Sequence, residues 1–159
     1  MPIKNYPDGV IAANTKAIGK KIYFLVKKNL DQSNIATSTV VKVTFVTEIV
    51  DNYNNFSSST FTAPSDGMYQ LSYCLDLRNI DQACTDYTIS LKTSNRTYYW
   101  LIEPHFLSDL SYLTVPFSIL VDMDFSDTAY IDFWQGAGTQ QTDIDETGTF
   151  FSGYLVAEY

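Results

Sequence analysis

VTFVTEIVDNYNNFSSSTFTAPSDGMYQLSY, residues 43–73, sets the pattern for the whole chain. In its last part, Gly67-Met68-Tyr69-Gln70-Leu71-Ser72-Tyr73, every second residue from Tyr69 is large and apolar. A period of two marks a strand whose two faces meet unlike surroundings. Ala63-Pro64-Ser65-Asp66-Gly67 turns the chain into that strand, since Pro presets one turn angle and Asp and Gly accept unusual ones. Upstream, DNYNN (51–55) is an Asn/Asp turn, and Phe56 and Phe61 flank a Ser/Thr run. Val41, Val43, Phe45 and Ile49 alternate with Lys42, Thr44 and Glu48, which predicts one half-buried strand.

Similar signals recur on both sides. IYFLV (22–26) is a nearly continuous apolar run, the pattern of a strand buried on both faces. Tyr87, Ile89 and Leu91 alternate with Thr88, Ser90 and Lys92; YYWLI (98–102) is a second apolar run. Val115, Phe117, Ile119, Val121, Met123 and Phe125 give the cleanest alternation, followed by Ala129, Ile131 and Phe133 and a closing FFSGYLV (150–156). About nine short strands without a convincing helix predict an antiparallel sandwich or barrel. No internal repeat points to a propeller or solenoid.

Composition agrees. The 159 residues suit one domain, and 12 Tyr, 10 Phe and 2 Trp favour strands and hint at a subunit interface. A formal net charge of -8 repels phosphate backbones, so no nucleic-acid partner is expected. There is no apolar run of about eighteen residues to insert in a membrane. Residues 1–20 are polar, broken by Pro2, Pro7, Gly9 and Gly19, and lack the apolar centre of a signal peptide. They read as an N-terminal arm that contacts a neighbouring subunit or larger assembly, ahead of a domain at 21–159. Cys74 and Cys84 are too few for a disulfide scaffold and are expected as free thiols in a reducing compartment.

The residues of the opening stretch resemble the globular head of complement C1q, within the tumour-necrosis-factor-like superfamily. Phe45, Asp51 and Phe56, then Phe61, Gly67, Tyr69, Leu71 and Tyr73, follow the order of that family's signature. Two departures are a Phe56–Phe61 gap two residues shorter than the family's and Leu71 in place of a Phe. Downstream, Phe125-Ser126-Asp127 resembles the family's Gly-Asp strand start with Ser126 for the Gly, and residues 149–155 resemble its closing Thr-Phe-Ser-Gly-Phe-Leu. The resemblance spans residues 21 to 159. It implies an all-β, two-sheet jelly-roll sandwich assembling as a homotrimer, with one sheet of each protomer facing the threefold axis. Tyr69, Tyr73, Tyr154 and Tyr159 are then the expected interface residues, with ordinary core positions as the alternative for Tyr69 and Tyr73. The resemblance also puts Cys74 and Cys84 in different sheets.

Catalytic signals are sparse. His105 is the single histidine, Glu103 and Asp109 lie in the same loop, and no GxSxG, HExxH or phosphate loop occurs. Asp122 and Asp124 are read as a solvated strand face, and Asn95-Arg96-Thr97 as a chance glycosylation sequon. Asp143, Asp145 and Glu146 concentrate hard oxygen ligands of the kind calcium takes. Some members of the resembled family bind calcium near the threefold axis, mainly through the loop matched by residues 103–114, where Asp109 is the suitable residue. No other cofactor is implied. The expectation is a non-enzymatic knob on a virus or phage particle (capsid decoration, head fibre or spike), made in the host cytoplasm. The alternative is a secreted or cell-surface recognition module binding glycans or proteins.

Overall fold

A computed structural model describes residues 21–104 and 108–159. The proposed arm and His105 lie outside the described residues. Among the described residues there are twelve strands and no helix. They are β1 Tyr23–Lys27, β2 Val40–Lys42, β3 Thr47–Asp51, β4 Phe56–Ser57, β5 Thr60–Thr62, β6 Gly67–Ile80, β7 Tyr87–Thr93, β8 Thr97–Ile102, β9 Leu110–Met123, β10 Thr128–Gln135, β11 Asp143–Ile144 and β12 Phe150–Ala157. All pairings are antiparallel.

In sheet A, β9 runs along one edge of β6, while β12 and β11 share its other edge; β1 and β3 follow beyond β12. In sheet B, β10 is flanked by β7 and β8 on one side and by β5, β4 and β2 on the other. The inward faces enclose one apolar core. The strict alternation of β6 places Tyr69, Leu71, Tyr73, Leu75 and Leu77 in that core and turns Met68, Gln70, Ser72, Cys74, Asp76 and Arg78 away from it.

The signature aromatics meet in space. Phe24 stacks on Phe61 at 4.6 Å and on Phe56 at 5.4 Å and meets the edge of Phe151 at 5.0 Å. Phe45 lies 5.9 Å from Phe151, and Tyr69 lies 5.6 Å from Phe61. Offset and edge-on contacts of this kind add to the burial of the rings themselves. Leu71, replacing the family's Phe, is fully buried.

Two expectations need correcting. Residues 41–49 do not form one strand: β2 pairs with β10 in sheet B, whereas β3 pairs with β1 in sheet A. The chain crosses between sheets while Val43 and Phe45 both stay buried, so alternation continues through the crossing. The run at 22–26 is buried on one face only: Phe24 and Val26 are in the core, but Tyr23 is exposed and Leu25 half-buried.

The shortened hairpin closes through Ser58 and Ser59, both at positive φ (49° and 58°), which matches the right-handed twist of a two-residue hairpin. Ser59 Oγ accepts from Phe45 N–H at 2.9 Å and ties the hairpin to the crossing segment. Ser126, where the family carries Gly, sits at φ 73° in the β9–β10 turn. Its N–H donates to Ala63 O at 2.8 Å, so the conformation is held from outside the turn. Because a Cβ is penalised in this region, Ser126→Gly is expected to stabilise the protein by about 1 kcal/mol. Urea unfolding checks this; a lower midpoint would show that the serine is not strained.

Candidate assembly face and open sandwich edge

The outward face of sheet A is laid out by register. One row runs Tyr23, Tyr154, Gln70, Leu120; the next runs Val50, Leu25, Ser152, Ser72, Ser118; a third runs Lys27, Phe150, Cys74, Pro116. Tyr23, Val50, Leu120 and Tyr154 are exposed large hydrophobics, joined by Val156 at the end of β12. The polar members bond to one another: Gln70 Nε2 donates to Ser118 Oγ at 2.7 Å, and Ser72 Oγ is 2.7 Å from Ser118 Oγ. The polar centre of the face is therefore self-satisfied, and its flanks are apolar.

Where β8 and β9 face each other across the sandwich, the edge is open. Trp100 is paired directly opposite the buried Ile89, so its side chain belongs to the inward face of sheet B, yet it is 52% exposed. Tyr98 and Ile102 share that face and are half-buried. Across from them Leu113, Phe117 and Ile119 of β9 are likewise only partly covered. Phe117 stacks on Tyr73 at 5.4 Å, and Tyr73 Oη is buried without a hydrogen-bond partner among the described residues. Burial pushes that phenol well above its ordinary pKa, so it stays a neutral donor.

Tyr69 and Tyr73 do not lie on the sheet face expected to meet sister subunits. They are 0% and 1% exposed, on the core side of β6, and Tyr69 Oη donates to Ser65 O at 2.8 Å. Tyr154 and Tyr159 are exposed, at 53% and 70%. A depression of about 440 Å³ lies beside Tyr154, lined by residues 21–23 and 154–158. Trp100, Phe117, Tyr23 and Leu120 were not singled out by sequence; Phe117 and Leu120 lie in the cleanest alternation of the chain, which tells inward from outward but not edge from centre.

Of the four candidate calcium ligands, the carboxylates of Asp109, Asp143 and Asp145 already hold partners. Asp143 Oδ1 accepts from Asn34 N–H at 2.6 Å and Oδ2 from Asn79 Nδ2 at 2.9 Å. Asp145 is buried, pairs with Arg78 and accepts from Thr147 N–H at 2.7 Å. Asp109 accepts from Gln82 N–H at 2.9 Å, and Glu146 N–H donates to Asp31. No group of three His, Cys, Asp or Glu side chains gathers among the described residues. Asp122 pairs with Arg96, and Asp124 lies beyond the end of β9 in the turn. Asn95 donates to Asp127 at 2.7 Å. Cys74 and Cys84 are free thiols, the first half-buried on β6 and the second buried before β7. Burial pushes both thiols above their ordinary pKa.

Two sheets in this strand order define a C1q/TNF-like jelly roll, and solved structures agree. The globular domain of zebrafish complement 1qA superposes with a TM-score of 0.66 at 18% identity, covering 88% of this chain and 100% of that one. Murine APRIL superposes at 0.59 with 12% identity, covering 86% and 100%. No family model matches the chain, and no curated protein does.

Proposed function

We propose that this chain acts as a homotrimer, a non-enzymatic binding and structural knob on the surface of a virus or phage particle. The open β8–β9 edge carries the trimer reading. An inward-facing Trp100 left half in water, beside half-covered Phe117 and a Tyr73 Oη with no partner among the described residues, needs a neighbour to complete it. Closing three copies around an axis lays that edge against the sheet A face of the next copy, where Tyr23, Leu120 and Tyr154 are exposed. The fold supports this reading, since trimeric assembly is what the C1q resemblance implies. A non-catalytic role suits the carboxylates of Asp81 and Asp145, which are taken up in holding loops. Two free thiols suit a chain that folds in a reducing cytosol, as a particle protein does.

Trp100→Asp is expected to weaken the trimer by about 2 kcal/mol or more, as loss of a central aromatic anchor does, while far-UV circular dichroism stays unchanged. Sedimentation velocity checks it; a variant that sediments like the parent at every concentration removes the edge from the interface. The particle assignment is tested by mass spectrometry of purified particles from the source. Peptides of this chain are expected in them, and their absence would leave the secreted recognition module as the better reading.

A further inference from the structure

The outward face of sheet B differs from that of sheet A. Register places Trp134 between Val40 and Thr88, and Asp132 between Lys42 and Ser90, with Leu101 and Tyr99 of β8 continuing the rows. Within it is a depression of about 350 Å³ lined by Val40, Thr88, Ser90, Lys92, Asp132 and Trp134, with Phe133 at its floor. The Asp132 side chain is 9% exposed and lies 2.7 Å from Lys92 Nζ. That amine is its one partner among the described residues, although a carboxylate offers about four acceptor sites. Lys42 is engaged elsewhere, over the Tyr130 ring at 4.8 Å and bonded to Ser58 O.

We propose that this depression binds a neutral pyranose, the terminal sugar of a glycan, with one face of the ring against Trp134. Its hydroxyls would reach Asp132, Lys92, Ser90 and Thr88. The lining selects this chemistry by what it offers together: a flat indole on one side, and acceptor, donor and hydroxyl groups on the other. An anion would meet the Asp132 carboxylate, and a cation the Lys92 amine. A wholly apolar ligand would bury the ion pair without replacing its water, which is costly. A pyranose has an apolar C–H face and a rim of groups that both donate and accept, so it uses both halves of the site. The volume is at the low end for small-molecule pockets and fits one or two sugar rings. The proposal deepens the reading as a binding knob and rests on it only for the number of sites. With sheet A turned to the axis, three copies would present sheet B outward, and weak sites would add through avidity.

The chain has two tryptophans, so two indole N–H signals report on the two regions by NMR. The signal lost in Trp134→Phe assigns the site. The protein is titrated with the methyl pyranosides of glucose, galactose, mannose and N-acetylglucosamine. At least one is expected to move the Trp134 signal saturably, with a Kd on the order of 1 mM and no movement of the Trp100 signal. Trp134→Ala and the shape-preserving Asp132→Asn should each weaken that sugar about tenfold, the latter with unchanged circular dichroism. No movement of the Trp134 signal at about 50 mM sugar overturns the proposal, as does movement of Trp100 instead or an Asp132→Asn variant of unchanged affinity. Light scattering on the same samples separates the two ideas. A monomer that binds sugar removes the trimer and keeps this site; a trimer that binds none does the reverse.

Discussion

Gly153→Val is expected to lower the stability of the fold by about 3 kcal/mol or more. Gly153 lies in β12 between Leu71 of β6 and Phe24 of β1, facing the core. A Cβ there would sit 2.5 Å from Leu71 Cδ2, 2.7 Å from Phe24 Cε1 and 3.2 Å from Gln70 O. Those neighbours are themselves fixed, because Leu71 is fully buried and Phe24 is stacked among three rings. Overpacking a close-packed core costs about 1–3 kcal/mol for modest insertions, and a branched side chain at this spacing belongs at or above the upper end. That is a large part of the roughly 5–15 kcal/mol that keeps a domain folded. Gly153→Ala should cost less, and combining it with Leu71→Ala should cost less than the two separately, because each change makes room for the other. Thermal melts of the three variants check this; strictly additive effects would show that the Leu71 contact is not what demands the glycine.

The second large effect is at Asp81, in the loop between β6 and β7. Its carboxylate accepts from Ala83 N–H at 2.7 Å, Thr139 N–H at 2.5 Å and Gln140 N–H at 2.8 Å. It thereby holds the 136–142 loop against the 81–86 loop. Burial pushes the carboxyl up, but the backbone donors of Gln140, Ala83 and Thr139 outweigh burial and hold its pKa below the ordinary value. Asp81→Ala removes the acceptor for all three donors and is expected to cost about 3 kcal/mol. The sign of the pH dependence follows from the direction of the shift. A carboxylate with a depressed folded pKa contributes its full stabilisation above the unfolded value of about 3.9, and loses it as pH falls through the folded one. Asp145 acts in the same sense: burial raises its pKa, and Thr147 and Arg78 together bring it below the ordinary value. The wild-type protein should therefore lose stability on acidification below about pH 4, and Asp81→Asn should lose less of it over that range. Parallel curves of unfolding free energy against pH for the two proteins would contradict this role.

The fold was legible in the sequence because β6 is a core strand with one dry face, and its period of two survives every local detail. The family signature added the topology, since Phe45, Phe56 and Phe61 come from separate segments but meet the rings of Phe24 and Phe151. Other features were hidden for physical reasons. At 41–49 alternation reports only which side chains point inward, so it cannot reveal a change of hydrogen-bonding partner from β10 to β1. The tyrosines of β6 were expected at an interface, but the larger apolar set went to the protomer core. The outward face of β6 reads as Gln70 and Ser72, indistinguishable in sequence from an ordinary solvated surface. YYWLI has no alternation because β8 is an edge strand with both faces apolar: Tyr98, Trp100 and Ile102 on the open edge, Tyr99 and Leu101 on the sheet B surface. The site around Trp134 is built from β2, β7 and β10, so no single stretch carries its signature.

The most direct test of the account is the molar mass of the purified protein by light scattering across micromolar concentrations. A stable value of three chain masses, falling towards one in Trp100→Asp, is the predicted result. A wild-type protein that stays at one chain mass throughout would contradict it.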